Sequence, residues 1–183
     1  KLEGNDVYES MIKTGIANYE EAKSYVRIGT TPNKISIQNT SQNHKINITT
    51  MANGYNQMKW KNGEFLVKLP EEIISAQINN IKISDSNVEI LGYDIYEKEG
   101  CKFIKIITKN NEESTYTITI DCNLTANPST VSKTPTITLY AVNENCTNYE
   151  NSTKDIYDLN SNSNVEELVG TSATTINILV PNT

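Results

Sequence analysis

The last third of the chain contains segments in which apolar and polar residues alternate strictly. In residues 115–121, Tyr116, Ile118 and Ile120 fall on one face of an extended chain and the threonines fall on the other. Residues 136–142 repeat this alternation. A period of two is what a strand requires when one face is buried and the other meets solvent. Both segments are therefore predicted to be β-strands with one buried face.

Further short segments of this kind, each bounded by Asn, Asp, Ser or Gly, occur throughout the chain after residue 30. They cover residues 34–38, 44–50, 64–69, 77–83, 88–96, 102–108 and 175–180. Such regular spacing is typical of packed antiparallel sheets rather than of alternating strands and helices. We therefore predict a mainly β fold, an antiparallel β-sandwich of Ig-like or jelly-roll-like type, over residues 31–183. The first two segments, separated by a polar stretch, are predicted to pair as a hairpin.

Residues 1–30 have a different pattern, in which apolar residues recur at intervals of three and four. They are Val7, Met11, Ile12, Ile16, Tyr19, Ala22 and Val26. This N-terminal extension is interpreted in three ways: as two short helices, as a helix followed by a strand over residues 24–28, or as the tail of a preceding domain with a linker.

The charge and hydropathy of the chain exclude two classes of partner. The formal net charge is −6 with no local run of Lys or Arg, so a nucleic acid is not an expected partner. No apolar stretch approaches the roughly 20 residues that span a bilayer, so no membrane insertion is predicted. The chain opens at Lys1-Leu2-Glu3 and is interpreted as a segment of a longer, extracellular protein.

The sequence does not predict an enzyme. Its single histidine, His44, lies in a polar turn leading into a strand and is assigned a structural role. No phosphate-binding loop, dinucleotide fingerprint or nucleophile elbow is present. A pair of carboxylates of the glycosidase type stays open, because spatial pairing is not visible in a sequence.

The cysteines Cys101, Cys122 and Cys146 are irregularly spaced and form no CxxC pair, which excludes a zinc site. Two interpretations stay open. Either Cys122 and Cys146 form a disulfide, or all three are reduced thiols.

An Asn-rich loop over residues 155–167 is the best candidate for a metal site. Oxygen-bearing side chains recur at every second residue, as in loops that wrap calcium. The candidate ligands are Asp155, Asp158, Asn160, Asn162, Asn164 and Glu166. Ser163 replaces the turn-forming glycine of such loops, and Val169 stands where a carboxylate normally closes the cage. The alternative is a solvated hairpin loop without a metal and without any other cofactor.

Four aromatic residues are candidates for ligand contacts. Tyr55 and Trp60 flank a segment rich in Asn and Gly, and Tyr93 and Tyr96 lie three apart on one predicted strand. Exposed aromatic rings stack on sugars or anchor peptides. The alternative is that these side chains pack across neighbouring strands.

The C-terminal sequence resembles a module of large multidomain surface proteins of Gram-positive, clostridia-like bacteria. The residues that carry this resemblance are 103–108, 116–125, 127–128, 137–145, 155–160 and 174–181. The resemblance implies a secreted, cell-wall-associated β-sandwich used as a stalk or adhesive unit, and it supplies no catalytic residue. Surface domains of such bacteria also join Lys and Asn side chains into internal isopeptide bonds. Lys34 and Asn177 are the candidate pair, if a buried acidic residue lies beside them.

Together these observations predict a non-catalytic extracellular module that serves adhesion or structural presentation. Its expected partners are neighbouring domains of the same polypeptide and a host-matrix protein or glycan. One alternative is a carbohydrate-binding module accessory to a secreted hydrolase, with stacking platforms at Trp60, Tyr55 or the Tyr93 and Tyr96 pair. Another is a pilus-like subunit, which concentration-dependent oligomers would reveal.

Thermal melts in EDTA and in millimolar calcium distinguish the two interpretations of the Asn-rich loop. A calcium loop predicts a melting temperature several degrees higher in calcium, because a ligand that binds only the folded state stabilises it. Asp158→Ala should then abolish the increase. Identical melts of wild type and variant in both conditions would leave the loop as a solvated turn.

Overall fold

The computed structural model describes residues 24–37, 40–52, 59–127, 131–144 and 169–180. Within these ranges every regular element is a strand, and no helix has the length and hydropathy needed to cross a membrane. The strands are β1 (Tyr25–Thr31), β2 (Lys34–Ser36), β3 (Gln42–Met51), β4 (Gly63–Lys68), β5 (Ile73–Ile83), β6 (Val88–Lys98), β7 (Cys101–Asn110), β8 (Thr117–Ala126), β9 (Thr136–Asn143), β10 (Gly170–Thr175) and β11 (Asn177–Leu179).

Two antiparallel sheets pack face to face. One sheet has the strand order β1-β3-β8-β5, and the other has the order β10-β9-β4-β7-β6. The short strands β2 and β11 form a separate parallel pair. The predicted antiparallel β-sandwich is confirmed.

Strand β8 shows why the sheets pack in this way, because its side chains alternate strictly between half-buried and buried. Ile118 and Ile120 point inward and join Phe65 and Ile106 of the other sheet in one buried cluster. Burying an isoleucine side chain fully contributes about 1.5–3 kcal/mol. The alternation in the sequence is therefore the direct source of the core.

The outer face of the five-stranded sheet carries a second buried cluster. Strand β4 lies in the middle of this sheet, and its residues from Gly63 to Val67 are all buried. Leu66 points away from the main core and groups with Phe103, Val142 and Val169. This outer face is therefore not a purely polar one.

The predicted hairpin of residues 34–38 and 44–50 is wrong. Strand β3 pairs with β1 and β8, whereas β2 pairs with β11. The side-chain amide of Gln42 takes the place of a strand partner, because its Nε2 donates to the Ser36 carbonyl (2.7 Å) and its Oε1 accepts from the Ser36 N–H (2.9 Å). Alternation reports which face is buried, but it does not identify the neighbouring strand.

The two ends of the described chain refine the expectations. Residues 25–31 form β1 at an edge of the four-stranded sheet, which confirms the strand predicted over residues 24–28 in one interpretation and extends the sandwich into the N-terminal extension. Residues 1–23 lie outside the described residues, so the predicted helix there stays a prediction. The single closing strand predicted over residues 175–180 is interrupted at Ile176, where the chain passes from β10 to β11.

Cys101 and Cys122 are free thiols, so the proposed disulfide between Cys122 and Cys146 is not formed. Cys122 is buried in the core, and this burial, with the charge of Asp121, raises the pKa of its thiol to about 12. Cys146 lies outside the described residues.

The two sheets meet where the edge strands β1 and β10 lie against each other. The backbone N–H of Ile28 donates to the Ser172 hydroxyl (3.1 Å), and the Asn143 N–H donates to the Ser24 hydroxyl (3.0 Å). A Cβ built at Gly170 would overlap the carbonyl oxygen of Ser24. Glycine at position 170 therefore allows its backbone to lie against the backbone of Ser24.

Gly170→Ala is expected to lower the free energy of unfolding by about 1–3 kcal/mol, because the added methyl group forces the backbone apart. Gly29→Ala is the matched control, since a Cβ there meets nothing within 4 Å. The control should change stability by less than about 0.5 kcal/mol. Urea-induced unfolding measures both, and equal midpoints would contradict the close contact at Gly170.

Candidate functional site

The predicted metal ligands cannot be located, because Asp155, Asp158, Asn160, Asn162, Asn164 and Glu166 all lie outside the described residues. Within the described ranges no group of three or more His, Cys, Asp or Glu side chains could hold a metal ion. Calcium binding by the Asn-rich loop therefore stays a prediction.

Trp60 is not an exposed stacking platform, which corrects the prediction made for it. Its side chain is 0% exposed and its ring stacks on Phe65, with centroids 5.4 Å apart. The indole N–H is shared between the carbonyl oxygens of Tyr25 (3.1 Å) and Met51 (3.0 Å). Both the ring and the N–H are therefore used inside the fold. Tyr55, its predicted companion, lies outside the described residues.

Tyr93 and Tyr96 do not form one platform, because strand side chains three positions apart point to opposite faces. Tyr93 is paired in register with the core residue Ile106, and Tyr96 is paired with Phe103. The ring of Tyr96 stacks on Phe103 at a centroid distance of 5.4 Å on the outer face. Tyr93 is 57% exposed because β6 is an edge strand. Tyr93 is thus the only one of the four predicted aromatics that the described structure leaves open to a ligand.

Two exposed apolar side chains, Tyr93 and Leu91 (60% exposed), lie two residues apart on the edge strand β6 and form an apolar patch. Ile107 is 38% exposed but lies on the opposite face of the sheet from Tyr93, because Tyr93 pairs with Ile106 and successive strand residues alternate. A β-bulge shifts the register between Ile90 and Gly92, and Gly92 then faces Ile107 without a side chain to cover it. An isolated glycine inside a strand pattern is a signal for a bulge, so Gly92 marks this register shift in the sequence.

His44 is buried, although the sequence placed it in a surface turn. Its Nδ1 lies 2.9 Å from the Gln42 carbonyl oxygen and its Nε2 lies 2.9 Å from that of Lys34. Both nitrogens therefore contact backbone groups, which gives the ring the structural role that was predicted.

Asp85 shows the same use of an ionisable group in the fold. Its carboxylate accepts hydrogen bonds from the Ser114 hydroxyl (2.7 Å) and the Asn87 backbone N–H (2.9 Å) in the turn between β5 and β6. These bonds, that of Ser114 first, hold the pKa of Asp85 below its ordinary value. The group remains an anion that shapes a turn.

A cavity of about 260 Å³ that gathers polar side chains lies beside the β2–β11 pair. The cavity is lined by Lys34, Ser132, Lys133, Thr134, Asn177, Ile178 and Leu179. Lys34 and Asn177 are partners in the parallel register, so two residues that are far apart in the sequence lie side by side.

The predicted adjacency of Lys34 and Asn177 is therefore confirmed, but the surroundings do not suit an isopeptide bond. Lys34 is exposed rather than buried. No carboxylate is among the described residues that line the cavity, so none of these residues would supply the protonated acid that the reaction needs. The Asn177 Oδ1 instead accepts a hydrogen bond from the Thr134 hydroxyl (3.2 Å).

We expect the intact mass of the purified protein to equal that of the plain sequence, because the Lys34 and Asn177 side chains stay unlinked. The Lys34→Gln variant should likewise show only the mass change of the substitution. A wild-type mass lower by one ammonia molecule, with the linkage mapped by peptide sequencing to this pair, would contradict the expectation.

Neither a protein-family model nor a curated protein matches the sequence. Among solved structures, a cohesin module of a family 33 glycoside hydrolase from Clostridium perfringens is similar, with a TM-score of 0.48 and 12% identity over 87% of this chain and 99% of that one. The N-terminal domain of the Streptococcus gordonii adhesin Sgo0707 has a TM-score of 0.45 and 12% identity, over 86% of this chain and 33% of that one. The Corynebacterium diphtheriae major pilin SpaD has a TM-score of 0.47 and 12% identity, over 83% of this chain and 34% of that one.

Proposed function

We propose that this chain is a non-catalytic module of an extracellular, cell-wall-associated bacterial protein, in which it serves structural presentation or adhesion. One observation carries the proposal. Three side chains of kinds that often perform chemistry are used to support the backbone. His44, Asp85 and Thr108 all bond to backbone groups or turns. The sequence resemblance to Gram-positive surface modules supports the location.

The partners proposed for this role are the neighbouring domains of the same polypeptide and a host-matrix protein or glycan. The module offers sheet faces and the edge strand β6 with its exposed aromatic ring, and such surfaces suit broad contacts between proteins. A carbohydrate-binding role centred on Trp60 is not favoured, because that ring lies inside the core.

Adhesion, as distinct from simple spacing, is favoured by the apolar patch of Leu91 and Tyr93 on the edge strand β6. Exposed apolar patches with polar surroundings often mark interaction sites. Glu89 and Asp94 lie on the same strand and are exposed, so the patch has a polar rim. An aromatic and an aliphatic side chain within such a rim have the composition of an interface anchor.

Antibodies raised against the module are expected to label intact cells of the organism that produces it, because the module is proposed to stand outside the cell wall. Labelling that requires permeabilised cells would contradict the extracellular location. An antibody against a cytoplasmic protein of the same cells is the control for leakage.

The adhesive role is tested with beads coated with wild type or with a Leu91→Ser and Tyr93→Ser double variant, passed over collagen, fibronectin and mucin surfaces. Loss of an aromatic anchor from an interface centre is expected to weaken binding about tenfold or more. Lys82→Ser on β5, in the other sheet, is the control for an exposed substitution outside the patch. Equal retention of all three proteins would leave structural presentation as the function.

A further inference from the structure

The cavity beside the β2–β11 pair combines features that the proposed function does not use. Residues 131–134 lie alongside β11, where Lys133 and Ile178 exchange backbone hydrogen bonds of 3.3 and 2.8 Å. The Asn177 N–H donates to the Asn33 carbonyl oxygen (2.7 Å), which fixes β11 against the start of β2. The walls of the cavity are thus held by backbone hydrogen bonds on both sides.

Lys34 and Lys133 both line this cavity, and none of its described lining residues carries a carboxylate. The arrangement is unusual for a chain with 22 acidic and 16 basic residues. Within the described residues the ion pairs are formed by other lysines, such as Lys102 with Glu97 and Lys105 with Glu64. The cavity is therefore a local cationic site on an acidic protein, and it attracts an anionic group.

The remaining polar groups of the lining add hydrogen-bond donors. Thr134 donates to the Asn177 Oδ1 (3.2 Å), which orients the amide and leaves its Nδ2 hydrogens for a ligand. The Ser132 hydroxyl accepts from the Val180 N–H (3.4 Å), so its own proton can be donated. Leu179, 44% exposed, supplies an apolar wall. Cations, neutral donors and an apolar wall therefore line one small space.

We propose that this cavity binds an acidic sugar residue, whose carboxylate lies between Lys34 and Lys133. The ring hydroxyls accept hydrogen bonds from Ser132 and Asn177, and the C–H face of the ring rests on Leu179. A volume of about 260 Å³ is below the roughly 300–1,000 Å³ of pockets for drug-sized ligands, so it accommodates one ring rather than a long segment. A lone peptide carboxylate would use the lysines but not the neutral donors. The proposal stands independently of the apolar patch and of the adhesive role.

The test is a titration of the isotope-labelled protein with sodium glucuronate, followed by amide chemical shifts, with glucose and sodium acetate as matched probes. Glucuronate should shift the signals of residues 34, 132–134 and 177–179, with weak, millimolar-range affinity. Lys34→Gln and Lys133→Gln should each weaken binding about three- to fivefold, the effect of losing one exposed ion pair. Lys109→Gln removes the same charge outside the cavity and should leave the affinity unchanged. Added salt should weaken glucuronate binding, because exposed charges are screened.

Several outcomes would overturn the proposal. Acetate binding as tightly as glucuronate would show that the cavity recognises the carboxylate alone and not the sugar ring. Glucose binding as tightly would remove the role of the lysines. An equal loss in Lys109→Gln would show a general charge effect. Absence of any chemical-shift change at these residues would exclude the site. A Lys34–Asn177 linkage in the intact mass would also exclude it, since the lysine side chain would then be an uncharged amide.

Discussion

The spacing of the two sheets depends on the burial of Trp60. This residue lies just before β4 of one sheet, yet its indole N–H is shared by the carbonyl oxygens of Tyr25 in β1 and Met51 in β3 of the other. A buried N–H without a partner costs about 1–3 kcal/mol, so these carbonyls fix where the ring can lie. The ring then stacks on Phe65 and sets the depth of the core at this end.

A second polar connection lies beside the first. The Thr108 hydroxyl bonds both the N–H (3.0 Å) and the carbonyl oxygen (3.1 Å) of Gly63, and it lies 3.0 Å from the Tyr116 hydroxyl. Because the Thr108 proton goes to the Gly63 carbonyl, Tyr116 is the donor in the remaining bond. Burial raises the pKa of Tyr116 to about 12, so its phenol stays protonated and keeps this role. A Cβ at Gly63 would meet the Phe65 ring at 2.8 Å, which explains the glycine there.

The strands of the central sheets could be predicted, and their partners could not. Alternation in β8 identifies its buried face without reference to other residues, because the period of two is a local property. The partner of β2 is β11, which lies more than 140 residues later in the sequence, so local alternation cannot identify it. On the side of β3, the Gln42 side chain bonds the Ser36 backbone in place of a strand. The burial of Trp60 was missed for the same reason, since its acceptors lie 35 and 9 residues away.

The cavity illustrates how such closure creates a site from unremarkable residues. Lys34, Lys133 and Asn177 belong to three segments distant in sequence, and none stands in a motif. The parallel pairing of β2 with β11 brings the first and the last together, and the backbone bonds of Lys133 to Ile178 add the third. Lys34 is exposed, and none of the described residues that line the cavity carries a carboxylate. An isopeptide bond between Lys34 and Asn177 would need a buried acid beside the pair, whereas the proposed anion site needs its absence, so this lining favours the second of the two proposals.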